Sequence, residues 1–90
     1  MGAPASGPHL TVEIRVELKA GILDAEAESV QKSLGLLGIG PVSSVRTAKV
    51  YVLVLPDADR EKAEAIAREA VERLLANPVI HRVHVSLKAA

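Results

Sequence analysis

His81 and His84 are the residues whose type most invites chemistry in this chain, as a pair of metal ligands or as a general base. They lie in Val79 to Leu87, which alternates through Val79, Val83, Val85 and Leu87 and reads as a strand. Residues three apart on a strand project to opposite faces, so the two imidazoles cannot share one ion, and structural roles are expected for both. The carboxylates of Glu26, Glu28, Glu61, Glu64, Glu69 and Glu72 fall on the polar sides of two helical stretches, where solvent surrounds them and no acid–base pair forms. Gly35, Gly38 and Gly40 come after a helix start rather than before one, and they lack the Lys-Ser/Thr of a phosphate loop. The absence of Cys excludes a thiolate metal site, a Cys nucleophile and a disulfide scaffold. The expected catalytic, cofactor-binding and metal-binding sets are all empty.

The most informative stretch is instead a junction, Lys19-Ala20-Gly21-Ile22-Leu23-Asp24. Before it, Leu10, Val12, Ile14, Val16 and Leu18 alternate with Thr11, Glu13, Arg15 and Glu17, the period of a half-buried strand. After it a helix runs from Asp24 to about Leu37, with Ala27, Val30, Leu34 and Leu37 on one apolar stripe and Gly38 as its C-terminal cap. Gly21 permits a turn that a side chain would oppose, Ile22 and Leu23 are expected to drop into the core, and Asp24 can accept from the first free helix N–H groups.

Val42 to Thr47 then reads as a strand, Ala48-Lys49 as a tight connection, and Val50 to Leu55 as the second arm of a hairpin. Asp57 or Asp59 caps a second helix that runs to Ala76, its buried stripe formed by Ala63, Ile66, Ala67, Ala70, Val71 and Leu74. Asn77-Pro78 stops it, because the residue before Pro avoids the helical region. The order strand, helix, strand, strand, helix, strand predicts an α+β, ferredoxin-like βαββαβ sandwich, a four-stranded antiparallel-type sheet with two helices on one face. Its first and third strands would be central. Val50 to Leu55 is apolar at every position, so the row Val50, Val52 and Val54 would leave the second sheet face bare unless copies associate through it.

Ninety residues make one small domain, predicted over residues 9–88 after a flexible leader at 1–8 rich in Gly, Pro, Ala and Ser. With one Tyr and no Phe, Trp or Cys to reinforce so small a core, association into a homodimer or homotetramer is its natural source of extra stability. Eleven basic against eleven acidic side chains give no bulk attraction to nucleic acid or to a membrane surface. RNA-recognition domains share this element order, but they stack bases on aromatic side chains, and Tyr51 stands alone here. No apolar run approaches the roughly 20 residues of a membrane span, and a cytoplasmic protein is expected.

Leu18, Lys19, Gly21, Ile22, Leu23 and Asp24 match a family that typically reads Leu-Lys-Pro-Gly-Val/Ile-Leu-Asp-Pro there. Similarity continues through Val30-Gln31, Leu37-Gly38, Val42-Ser43, Val45-Arg46, Lys49 and Leu74 to Ile80. On these residues the chain resembles PurS, the small S subunit of phosphoribosylformylglycinamidine (FGAM) synthase. Ala20 and Ala25 stand where that family usually has Pro, and Ala48 where it commonly has Gly. Without Pro the junction's backbone is less preset, and Ala48 resists the positive φ that a tight turn asks for.

The resemblance implies a non-catalytic subunit in purine biosynthesis. A synthetase subunit would activate the formylglycinamide ribonucleotide with ATP and magnesium, a glutaminase subunit would supply ammonia from glutamine, and this chain would bridge the two. Lys19, Gly21 and Asp24 become candidates for a signature turn or partner contact. The alternative is an ACT-like module binding a small molecule, which shares the topology and often carries a Gly in the first strand-to-helix turn.

Overall fold

The computed structural model describes residues 9–89, so the leader expected at 1–8 lies outside the described residues. Strand β1 (His9–Leu18) leads into helix α1 (Ala25–Leu36), strand β2 (Ala48–Pro56), helix α2 (Arg60–Ala70) and strand β3 (His81–Ala89). The three strands form one antiparallel sheet in the order β2-β1-β3. Val12 pairs with Leu53 and Leu87, and Ile14 with Tyr51 and Val85. Directly paired residues share a face, so the alternation in β1 collects one apolar face across all three strands. Helix α2 lies on it through Ala63 and Ala67, whose small side chains let the helix approach the sheet. Val12, Ile14, Val16, Ala63 and Ala67 form the buried core.

The second face is polar along β1 and β3. Glu17 accepts from Arg15 Nε at 2.9 Å and from Arg82 across the strand pair at 3.1 Å. The hydrogen bonds from Arg15 and then Arg82 hold its carboxyl down at about 2, below the usual glutamate range. A carboxyl depressed in the folded state stabilises above its unfolded pKa, and that contribution is lost as pH falls through the folded value. Stability should therefore decline from about pH 5 toward pH 2, and Glu17→Gln should flatten that part of a stability–pH curve measured by urea unfolding.

Several expectations from the sequence need correction. Residues 42–47 form no strand, and Ala48 and Lys49 do not turn; they begin β2, paired with Glu17 and Val16. A two-residue hairpin loop needs positive φ at one or both positions, which Ala and Lys adopt only at a cost, and among the described non-Gly residues Asp57 alone has it. The sheet thus has three strands, with Val50 to Leu55 on its edge rather than at its centre. Because the chain does not fold back there, α1 is carried away from the sheet, and one helix rather than two covers the face. Of its predicted stripe only Ala27 is buried; Val30 is 42% and Leu37 72% exposed, as are Ile22 at 40% and Leu23 at 69%.

In the second helical run Leu74 is exposed while Leu75 packs on the core. After Ala70 the helix widens into a π turn over Val71–Leu75, closed by the Ala76 N–H donating to the Val71 carbonyl at 3.2 Å. A turn wider than 3.6 residues delays the inward position by one residue.

Candidate functional site

The junction after β1 is a built turn. The Ile22 N–H donates to the Lys19 carbonyl at 3.1 Å and Gly21 has φ +87°, the pattern of a type II turn with Gly in its third position. The Lys19 N–H donates to the Ile80 carbonyl at 2.9 Å, tying the turn to the entry of β3. Asp24 then does two jobs with one carboxylate. Its Oδ1 accepts from the Ala27 N–H at 2.9 Å and caps α1, while its Oδ2 accepts from the Thr47 N–H at 3.1 Å and the Thr47 hydroxyl at 2.8 Å. These bonds, from Ala27 first and Thr47 next, lower its pKa.

Farther out, Gln31 Nε2 donates to the carbonyls of Val42 and Ser43 at 3.4 and 3.3 Å. Helix α1 ends in a Schellman motif: the Gly38 N–H donates to Gly35 and the Ile39 N–H to Leu34, with Gly38 at φ +74°. Residues 42–47 are thereby strapped along α1, and the two together form an arm beyond the sheet. On β2 the row Val50, Val52 and Val54 is 49%, 56% and 56% exposed, opposite Arg15, Glu13 and Thr11 of β1.

The predicted site residues therefore fall in two groups. Lys19, Gly21 and Asp24 meet at the base of the arm, and the valine row lines the neighbouring edge. His81 and His84 stand on opposite sheet faces, His81 in register with Leu18 and His84 with Arg15, and His81 Nδ1 accepts from the Asn77 N–H at 2.9 Å. The hydrogen bonds of Thr47 to Asp24 and of Gln31 to Val42 and Ser43 were not foreseen from the sequence. They depend on the return path of residues 42–47, which periodicity does not encode.

The PurS family model, described as phosphoribosylformylglycinamidine (FGAM) synthase, matches residues 11–89. The chain belongs to the PurS family. It is thus a subunit of FGAM synthase. It is 40% identical over 76 residues to the PurS subunit from Archaeoglobus fulgidus, covering 84% of this chain and 95% of that one. The fold matches PurS from Thermus thermophilus with a TM-score of 0.77 and 38% identity, covering 90% of this chain and 96% of the other. It also matches a chain of the PurLQS structure from Thermotoga maritima with a TM-score of 0.81 and 28% identity, over 90% and 99% of the two chains. Nothing in these matches supports the ACT-like alternative.

The departures from the PurS pattern acquire a location. Ala20 is the second residue of the type II turn, where Pro presets φ, and Ala25 is the first helical position of α1, where the N–H has no partner within the helix. Ala20→Pro and Ala25→Pro should each stabilise the fold by about 0.4–1 kcal/mol through the unfolded chain, read as a raised urea midpoint at unchanged slope.

Proposed function

We propose that this PurS chain is the non-catalytic bridge of its FGAM synthase, joining the synthetase PurL to the glutaminase PurQ and supporting passage of ammonia between them in de novo purine biosynthesis. The carrying observation is the match to a chain of PurLQS over 99% of that chain's length, which makes an assembled partner the frame in which this fold works. The exposed apolar arm and valine row supply surfaces for such contacts. The protein works as a homodimer or homotetramer in the cytoplasm, with Val50, Val52 and Val54 in the interface between copies, and within that assembly residues 42–47 supply the fourth strand of a ferredoxin-like sheet. Lys19, Gly21 and Asp24 hold the arm's base in the orientation the partners meet.

ATP and magnesium belong to the synthetase. The residues of this chain do not fit them: Gly38 and Gly40 follow a helix C-terminus, where carbonyls rather than N–H groups point outward, and no three acidic or His side chains converge among the described residues. The test is reconstitution of PurL and PurQ with and without this chain. Glutamine-dependent FGAM formation should fall at least tenfold without it, while activity with added ammonium is largely kept. Equal glutamine-dependent rates in the two mixtures would overturn the bridging role.

A further inference from the structure

The sheet has two edges, β2 and β3, and the contact between copies proposed above lies at β2. Strand β3 pairs with β1 without a break from Leu10 and Ala89 to Leu18 and His81, and it carries neither the Pro nor the bulge that would blunt an exposed edge. Alternate residues of β3 therefore point N–H and C=O groups away from the sheet, with no strand beyond them among the described residues.

The helix-covered face shows the same incompleteness. Val83, Val85 and Leu87 stand in register with Val16, Ile14 and Val12 of the buried core. Yet Val85 is 46% exposed, although its direct neighbour Ile14 is fully buried. Between α2 and β3 runs a groove of about 650 Å³, floored by Ala67, Val71 and these three β3 residues. A helix laid on that floor would leave the outer backbone groups unpaired, whereas an added strand meets both needs at once.

The opposite face sets the chemistry of such a strand. There β3 presents Arg82, His84, Ser86 and Lys88, a row with two fixed positive charges and no acid. Arg82 and Lys88 lean on Glu17 and Glu13 of β1 but stay exposed, with N–H groups to spare. Along the groove's helix side Arg60, Glu64, Arg68 and Glu72 alternate in sign, so the excess positive charge belongs to β3. A second copy is the wrong occupant, because antiparallel pairing of two β3 strands about Val85 sets Arg82 opposite Lys88 twice.

We propose that β3 takes an added strand from a partner subunit. The segment is extended, about five or six residues long, and alternates aliphatic residues laid beside Val83, Val85 and Leu87 with Asp or Glu set beside Arg82, His84 and Lys88. Main-chain bonds to the open edge supply affinity and the two rows supply specificity. This rests on the bridging role proposed above and adds the surface and the pairing mode for one of the subunits bridged.

Hydrogen exchange read by mass spectrometry follows β3 in this chain alone and after mixing with PurL, with PurQ and with both. The outward amides of residues 82–88 should slow at least tenfold in a mixture. His84→Glu tests the sign of the charge. Its direct neighbour on β1 is Arg15, so the fold gains a favourable pair, yet the new carboxylate faces the acids of the added strand. Affinity for the subunit that protects β3, measured by titration calorimetry, should fall at least tenfold for His84→Glu and not for His84→Lys. An unprotected β3 in a mixture whose glutamine-dependent activity requires this chain would overturn the added strand and leave the bridge standing. Protection that grows with the concentration of this chain alone would give the edge to a second copy and overturn it too, as would equal affinities for His84→Glu and His84→Lys. Glutamine-dependent activity indifferent to this chain would overturn the bridge, and the added strand with it.

Discussion

Val52→Glu is expected to break the protein into smaller species, read by light scattering as a mass reduced at least twofold at micromolar concentration. Val52 is the middle of the exposed row on β2, and a carboxylate there would be desolvated against the apolar side chains of another copy without a partner. The register makes the substitution doubly unfavourable, because Val52 pairs directly with Glu13 and like charges opposite one another destabilise a strand pair. Lys88 lies 3.6 Å from Glu13 and offsets only part of that repulsion. Val52→Lys separates the two effects: it pairs favourably with Glu13 within the copy, yet still places a charge in the proposed interface. Both variants should dissociate, and Val52→Lys should melt at the higher temperature. An unchanged mass for Val52→Lys would remove the row from the interface between copies.

The same register shows what a one-dimensional reading can reach. Alternation in β1 located Val12, Ile14 and Val16 correctly because a period of two is a property of consecutive residues. Asp24 was legible as a cap for the same reason, and the second cap was narrowed to Asp57 or Asp59, of which Asp59 serves; each cap accepts from an N–H three residues on. The path after Gly38 was not legible. Whether Ala48 and Lys49 turn or run straight is decided by a small φ preference set against pairing with Glu17 and Val16, 31 and 33 residues earlier. Once the chain runs straight, the burial of the whole α1 stripe changes although its sequence has not. Val30 and Leu37 were read as core because a helical period marks which side is apolar, not which molecule covers it. The junction was legible in part. The turn at Gly21 followed from residue type, whereas the second bond of Asp24, to Thr47, required knowing that residues 42–47 return along α1.

Ile14→Ala is expected to cost about 2–5 kcal/mol, the range for deleting most of a fully buried aliphatic side chain from a core that cannot collapse. Ile14 is 0% exposed, sits on the central strand and is flanked by Tyr51 and Val85, so no neighbouring element can move in without breaking a ladder. A domain of this size has a total stability of about 5–13 kcal/mol, and one with a five-residue core belongs near the lower end. The loss should lower the melting temperature by roughly 10–30 °C, followed by circular dichroism. Ile14→Val, which keeps the branch and removes one methyl group, should cost only about 0.5–1.5 kcal/mol. The proposed association would couple to this core by mass action, because copies that bind only the folded form draw it from the unfolded pool. The melting temperature of Ile14→Ala should therefore rise with protein concentration, and the rise should vanish when Val52→Lys is added. A melt within a few degrees of the parent would mean that the sheet face around Ile14 is not what holds the fold together. A melt that is low but independent of concentration would place the folding of the single copy and its association on separate footings, contrary to a small core that depends on both.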